Sequence, residues 1–245
     1  MSHHLLTLLT HHDQFRYAAK VKGIASANLI GYWPLAEPSG TTIVDESGNA
    51  RNGAYTSVTL GQQGIGDGRT AATFNGTTST GNVYGASLAG AFNGAEGTFT
   101  AWLQMSGAGV WTDAAIRRYA TFTVDANNII ALFKHSTNNT IRCDYKAGST
   151  LSSVSSTAVG GSTAWFHVAI TWSNAADQVK VYINGAQVGA TQTGLGTWAG
   201  ALSVGGAKIG SAETAANFWS GNEADAALWT TPLSAAQVGQ LASVG

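Results

Sequence analysis

From Gly23 onward the chain is a succession of short runs rich in β-branched and aromatic residues, separated by turn signals. Asn-Gly pairs at 52/53, 75/76, 93/94 and 184/185 supply the positive φ angles that tight turns need. Within one run the side chains alternate between two faces, with Phe166, Val168, Ile170 and Trp172 on one side and His167, Ala169 and Thr171 on the other. Ten or more strands at this spacing predict an all-β fold of two stacked antiparallel sheets.

Composition favours a single large β domain. The 245 residues include 31 Gly, 8 Trp and only 3 Pro, and no Pro-rich linker divides the β region. Only 10% of the residues are charged, against about 25% in an ordinary soluble domain. The surface must therefore consist of Ser, Thr, Asn and Gly, or partners must cover part of it.

Several classes of function are disfavoured by the same numbers. The net charge of -1 provides no field to attract nucleic acid. No apolar run reaches the roughly 18 residues of a membrane span. Cys143 is the only cysteine, so no intrachain disulfide forms. We also expect no secretory signal, because the start lacks a basic region and a cleavage site.

The two ends of the chain carry helical patterns. Leu5, Leu8, Leu9 and Phe15 fall at helical spacing, which predicts an amphipathic N-terminal arm over residues 1–24 ahead of a domain over 25–245. So short a helix is marginal alone, and it needs its own sheet, another subunit or a larger assembly to lie on. The segment "PLSAAQVGQLAS" predicts a short C-terminal helix with Leu233, Val238 and Leu241 turned inward.

A family resemblance rests on five segments that occur in a characteristic order. They are "YWPLAEPSGTTIVDESGNARNGAY", "GRTAATFNG", "GTFTAWLQM", "WFHVAITWSNAADQVKVYINGAQVG" and "ADAALWTTPLSAAQVGQLAS". Over about residues 29–243 the chain resembles the laminin-G-like branch of the concanavalin A-like lectin/glucanase superfamily. The resemblance implies a jelly-roll sandwich of two curved antiparallel sheets in which the first and last strands are adjacent.

Glycoside hydrolysis is the enzymatic alternative, because the same superfamily includes retaining glucanases. Their chemistry needs two carboxyl groups about 5 to 5.5 Å apart. For those enzymes the resemblance implies a Glu-x-Asp-x-Glu or Glu-x-Asp-x-x-Glu run on one strand. Here only Glu223-Ala224-Asp225 matches, and the final glutamate is missing. No Gly-x-Ser-x-Gly elbow is present either. We therefore predict that the protein is not an enzyme.

Calcium is the cofactor that the resemblance implies. Laminin-G-like modules often hold one ion between the loop after the first strand and the Asp that begins the last strand. Those positions correspond here to Asp45, Asn49 and Asp225, and calcium favours such oxygen ligands. The alternative is that Asp45 only caps its own turn.

Glycan binding would require aromatic rings exposed in loops. Trp111, Trp198 and Trp219 lie in Gly/Ala/Thr-rich segments and are the predicted ligand-binding residues. The alternative is that these rings anchor the loops from beneath.

These expectations favour a non-enzymatic structural or surface protein. Laminin-G-like jelly rolls resemble modules on phage and viral particles, which implies a capsid decoration or a tail or fibre component at the virion surface. The arm would dock on a capsid or tail protein or on another copy of the chain, and the jelly roll would face outward and contact glycans. The alternative is a free calcium-dependent carbohydrate-binding or adhesion module, with a glycoside hydrolase as the remote alternative.

Overall fold

The computed structural model describes residues 16–136, 140–156 and 161–244. The predicted arm residues Leu5, Leu8, Leu9 and Phe15 lie outside this part of the chain. Within it the elements follow in the order α1 (16–23), β1 (Leu29–Trp33), β2 (Thr42–Ile43), β3 (Gly53–Thr56), β4 (Thr59–Gln63), β5 (Thr70–Asn75), β6 (Thr80–Asn82), α2 (Ala86–Ala91), β7 (Glu96–Met105), β8 (Arg117–Asp125), β9 (Asn128–Lys134), β10 (Ile141–Ala147), β11 (Thr150–Ser156), β12 (Phe166–Ser173), β13 (Gln178–Ile183), β14 (Ala186–Gln192), β15 (Ala207–Ile209), β16 (Ser220–Trp229) and α3 (Ala235–Leu241).

The strands form two antiparallel eight-stranded sheets, as the spacing of the strand runs predicts. Sheet A has the order β14-β13-β12-β7-β16-β5-β4, with β1 also paired to β16. Sheet B has the order β11-β10-β9-β8-β15-β6-β3-β2. The adjacency of β1 and β16 confirms that the first and last strands lie side by side, and the all-β jelly-roll sandwich with short helices at both ends is confirmed.

The core between the sheets comes from the alternating side chains. Phe166, Val168, Ile170 and Trp172 of β12 all point into it and are buried. The turn from β13 to β14 uses Asn184 and Gly185, at φ 49° and 80°, as the Asn-Gly pair predicts.

The outer face of sheet A is also buried, because two helices cover it. Trp102, Ala169 and Ala224 lie there beneath Tyr17 of α1 and Val238 of α3. Burying a large apolar side chain contributes about 1.5–3 kcal/mol, so the helices stabilise the sandwich substantially. This cover explains why every residue of β12 is buried, including those on the face opposite the core.

Hydrogen bonds fix α1 to the end of the chain. The Tyr17 hydroxyl donates to the Leu241 carbonyl at 2.8 Å and accepts from Trp102 Nε1 at 2.7 Å. Lys20 Nζ donates to the Ser243 carbonyl at 2.6 Å, and Trp229 Nε1 donates to the Ile24 carbonyl at 2.9 Å. From Tyr17 onward the segment therefore packs on the chain's own sheet.

The C-terminal helix begins with a capping box, in which the Ser234 side chain accepts from the Gln237 N–H and the Gln237 side chain accepts from the Ser234 N–H. Val238 and Leu241 are buried, as predicted from their spacing. Among the described helices none has the length and apolar character needed to cross a membrane.

Candidate functional site

The loop after β1 is organised by Asp45. Its Oδ1 accepts from the N–H groups of Tyr32 at 3.0 Å and Ser47 at 2.9 Å, and its Oδ2 accepts from the Arg51 N–H at 2.8 Å. Asn49 Nδ2 donates to the Leu29 carbonyl at 3.0 Å. Asp45 and Asn49 thus hold the loop against β1. For Asp45 this arrangement fits the alternative in which the side chain caps its own turn.

Asp225 lies at the other end of Tyr32. The Tyr32 hydroxyl donates to Asp225 Oδ1 at 2.5 Å, and the Asp225 N–H donates to the Pro34 carbonyl at 3.0 Å. Burial, followed by the charge of Asp67, raises the pKa of Asp225 to about 7, although the Tyr32 hydrogen bond and the charge of Arg69 oppose the shift. The side chain is therefore a structural acid beneath α1.

The predicted calcium ligands are not brought around one point. Asp45 bonds the main-chain nitrogen of Tyr32, whereas Asp225 bonds its phenolic oxygen, at the far end of the same residue. Residues 16–136, 140–156 and 161–244 contain no group of three or more His, Cys, Asp or Glu side chains that could hold a metal ion. The arrangement does not fit a calcium site built from Asp45, Asn49 and Asp225.

Glu223 and Asp225 lie on opposite sides of sheet A. Glu223 is fully buried between the sheets near Tyr119 and Tyr55, and its carboxyl oxygens have no hydrogen-bond partner among the described residues. Burial raises its pKa well above the ordinary value. Side chains two positions apart normally share a face, but the register of β16 shifts between Ala224 and Ala227 and Asp225 adopts φ 53°. The bulge turns Asp225 toward α1 and separates the two carboxyl groups.

Two of the three predicted ligand-binding tryptophans have no exposed ring. Trp111 and Trp219 are fully buried, and Trp111 Nε1 donates to the Ser162 carbonyl at 2.7 Å. The expectation of exposure was wrong for these two, because their loops fold back over the sandwich and the rings fill the space beneath. Trp198 is half-buried against Gly94 and near Phe92, so it also acts largely as a loop anchor.

The larger surface cleft has polar side chains that already satisfy one another. Its volume is about 440 Å³, and it is lined by Pro34, Ala36, Glu37, Pro38, Val44, Glu46, Gly68, Arg69 and Thr70. Arg69 donates two 3.1 Å hydrogen bonds to Glu46. Glu37 accepts from the Val44 N–H and the Tyr55 hydroxyl, both at 2.7 Å. These internal bonds leave few groups to recognise a ligand.

A second cleft, here named the sheet A cleft, lies between the outer faces of β12, β13 and β14 and the start of α3. Its volume is about 300 Å³, and its lining includes the polar residues Thr171, Ser173, Gln178, Lys180, Tyr182, Gln187 and Ser234. In the described part of the chain, the side chains of Gln178 and Lys180 make no hydrogen bond or ion pair. This cleft therefore offers uncommitted donors and acceptors.

None of the cleft residues was predicted from the sequence to bind a ligand. The signal was present in "DQVKVYING", where Gln178, Lys180 and Tyr182 occupy alternate positions and therefore share one face of β13. What the sequence lacked was the position of α3, which forms the opposite wall of the cleft.

Comparison with known families gives one clear match. A laminin G-type family model, described as concanavalin A-like lectin/glucanases superfamily, matches residues 75–239. A comparison with curated proteins finds no match.

Solved structures with a similar fold include domain 4 of AbnA, a GH43 extracellular arabinanase from Geobacillus stearothermophilus, in complex with arabinotriose. It is 18% identical with a TM-score of 0.61, and the alignment covers 88% of this chain and 98% of that one. The receptor binding domain of botulinum neurotoxin mosaic serotype C/D is 14% identical, with a TM-score of 0.66 and coverage of 88% and 50%. The binding domain of Paraclostridial Mosquitocidal Protein 1 is 13% identical, with a TM-score of 0.65 and coverage of 88% and 52%. The chain spans about half the length of these two toxin domains, and the likeness is one of fold.

Proposed function

Because this chain belongs to the laminin G-type family of the concanavalin A-like lectin/glucanase superfamily, we propose that it is a non-catalytic carbohydrate-binding domain displayed on the surface of a larger assembly, such as a virion. The observation that carries the non-catalytic part is the bulge in β16. A retaining glycosidase needs its two carboxyl groups on one face, about 5 to 5.5 Å apart. Glu223 points into the core and Asp225 points toward α1, so the pair flanks no common substrate.

Carbohydrate binding is supported by the solved structures that share this fold. One similar structure is a domain of an arabinanase in complex with arabinotriose, and others are toxin binding domains. The sheet A cleft adds polar side chains that have no partner within the described chain. Together these observations favour recognition of a hydroxyl-rich ligand over chemistry on it.

Display on an assembly is supported by composition and by the N-terminal segment. The chain has few charged residues, and Leu5, Leu8, Leu9 and Phe15 precede a helix whose own apolar residues are already buried on sheet A. We propose that these four residues contact a capsid or tail protein or a second copy of the chain. Localisation at a virion surface follows from that proposal.

The binding proposal is tested with the purified full-length chain on an oligosaccharide array and in a reducing-sugar assay on the polysaccharides it retains. The expected result is retention without hydrolysis. Release of reducing ends that Glu223→Gln abolishes, while the control variant Glu213→Gln, at a partly exposed residue outside both clefts, preserves it, would overturn the non-catalytic assignment. Failure to retain any saccharide would overturn carbohydrate binding.

The display proposal is tested by replacing Leu5, Leu8 and Leu9 together with serine. We expect the variant to lose association with the assembly, measured by co-sedimentation and light scattering, while its melting temperature stays unchanged. Unchanged association would contradict docking through the arm.

A further inference from the structure

We infer that the sheet A cleft is the saccharide-binding site of this protein, and that it takes a sugar bearing a carboxylate, with Lys180 as the residue that contacts the acid. This inference rests on the proposed function, since it names the site and the ligand class for that same binding activity. It moves the binding site from the loop tryptophans to the outer face of β12–β14.

The cleft has the shape that a small ligand needs. Tyr182 of β13 forms part of its floor, and Pro232 and Leu233 ahead of α3 form a wall. Its volume of about 300 Å³ is at the lower end of the range for small-molecule sites, which suits one or two sugar rings.

The floor is held in a fixed position before any ligand arrives. Tyr182 packs in the apolar cluster beneath the helices, and only 3% of it is exposed. Ser173 Oγ donates to Glu96 Oε1 at 2.9 Å. The rigid floor reduces the ordering cost of binding, so the free side chains around it determine affinity and specificity.

Those free side chains have the chemistry of sugar recognition. The Gln178 amide makes no hydrogen bond among the described residues. Gln187 Nε2 donates to Thr191 Oγ1 at 3.0 Å, so the side-chain oxygen Oε1 of Gln187 is available to accept a hydrogen bond. An amide offers both a donor and an acceptor, which matches adjacent sugar hydroxyls. Both amides project beside Lys180 in the same cleft.

Lys180 determines the expected charge of the ligand. It is the only charged residue among those that line the cleft, and in the described chain its ammonium group has no ion-pair partner. The Glu96 carboxyl group, which contacts the lining at Ser173, already accepts from the Ser173 hydroxyl at 2.9 Å and from the Ala175 N–H at 3.0 Å. An anionic ligand group would form a charge-assisted hydrogen bond with the Lys180 ammonium. An acidic sugar supplies that carboxylate, and its hydroxyls can hydrogen-bond the Gln178 and Gln187 amides.

The charged side chains of the larger cleft, unlike Lys180 in the sheet A cleft, already have partners. There the charged side chains Glu46 and Arg69 pair with each other, and Glu37 accepts two hydrogen bonds from its own domain. A ligand would have to break those bonds, whereas in the sheet A cleft it could bind Gln178 and Lys180, whose side chains make no hydrogen bond or ion pair among the described residues.

The test is isothermal titration of the full-length chain with uronic- or sialic-acid oligosaccharides and with their neutral counterparts. The variants are Lys180→Gln and Gln178→Ala, and the control is Lys22→Gln, since Lys22 is exposed on α1. We expect Lys180→Gln to weaken binding of the acidic sugar about tenfold or more, as for loss of a hydrogen bond to a charged group. Lys22→Gln should bind like the wild type, and added salt should weaken wild-type binding.

The outcomes separate the two proposals. If the wild type binds saccharides and both cleft variants bind equally well, the site is wrong while carbohydrate binding stands. If the wild type binds only neutral saccharides, the acidic ligand is wrong. If the wild type binds no saccharide at all, the proposed function fails and the inference fails with it. Melting temperatures of all variants exclude misfolding as the cause of any loss.

Discussion

The outer faces of the two sheets differ in what covers them. On sheet A, Trp102 and Ala224 lie beneath helices that come from opposite ends of the chain. On sheet B, a cross-strand network occupies the face, with Arg142 Nε 2.6 Å from Asp144 Oδ1 and Ser153 Oγ donating to the same oxygen at 2.7 Å. The helices are therefore part of the folded unit, because without them sheet A, unlike sheet B, would expose a large apolar surface to water.

The largest expected effect comes from uncovering sheet A. Deletion of residues 1–24 removes the buried side chains of Tyr17, Ala18, Val21 and Ile24. We expect it to lower the free energy of unfolding by roughly 5 kcal/mol or more, from about 1.5–3 kcal/mol for each large side chain. Urea denaturation measures the loss.

Deletion of residues 1–15 is the matched control for this experiment. It keeps Tyr17 and its bonds to Leu241 and Trp102. If the two deletions were equally stable, α1 would contribute nothing to the fold and the comparison between the sheets would fail.

The next largest effect is the pH dependence of stability that arises from Asp225, which is buried beneath α1. The folded-state pKa of Asp225, about 7, lies above its ordinary value of 3.8. A raised carboxyl pKa means that the folded state holds the proton more tightly, so the contribution of Asp225 to stability is greatest below about pH 4 and is lost as the pH rises toward 7. At about 1.4 kcal/mol per unit, the loss is on the order of 4 kcal/mol.

Chemical denaturation between pH 4 and pH 8 checks this dependence. Asp225→Asn should reduce the slope, since the amide does not titrate. Glu223, whose pKa burial also raises, retains part of the slope in the variant. A profile in the variant as steep as that of the wild type would rule out Asp225 as a source.

The smallest effect is expected on sheet B. Arg142 and Asp144 have side chains that are 25% and 23% exposed, and ion pairs of this kind contribute about 1 kcal/mol or less. Arg142→Ala should therefore lower the free energy of unfolding by no more than about 1 kcal/mol in urea. A loss as large as that of the 1–24 deletion would remove the difference between the two faces.

The sequence was sufficient wherever local pattern decides structure. Alternation placed Phe166 and Trp172 in the core, and the Asn184-Gly185 pair formed its hairpin turn. It was insufficient where neighbouring elements decide. The bulge after Ala224 depends on which strands flank β16, and therefore the separation of Glu223 from Asp225 is invisible in the alternation.

The sites show the same division. Gly- and Ala-rich surroundings suggested exposed rings at Trp111 and Trp219, but loop composition does not reveal whether a loop folds back over the sandwich, and both rings are buried. Conversely, nothing in the strand pattern marks Lys180 as a binding residue, and it lines a cleft only because the segment ahead of α3 forms another wall. Burial and cleft walls are long-range properties that single-strand patterns do not contain.

The hydrogen bond between Tyr17 and Leu241 joins the first described helix to the last. A partner attached through the chain ahead of Tyr17 would consequently lie on the side of sheet A. The cross-strand network on the outer face of sheet B would then face away from that partner. The domain would be attached through the outer face of sheet A. A force applied through that attachment would act on the contact between α1 and α3 before it acted on any strand.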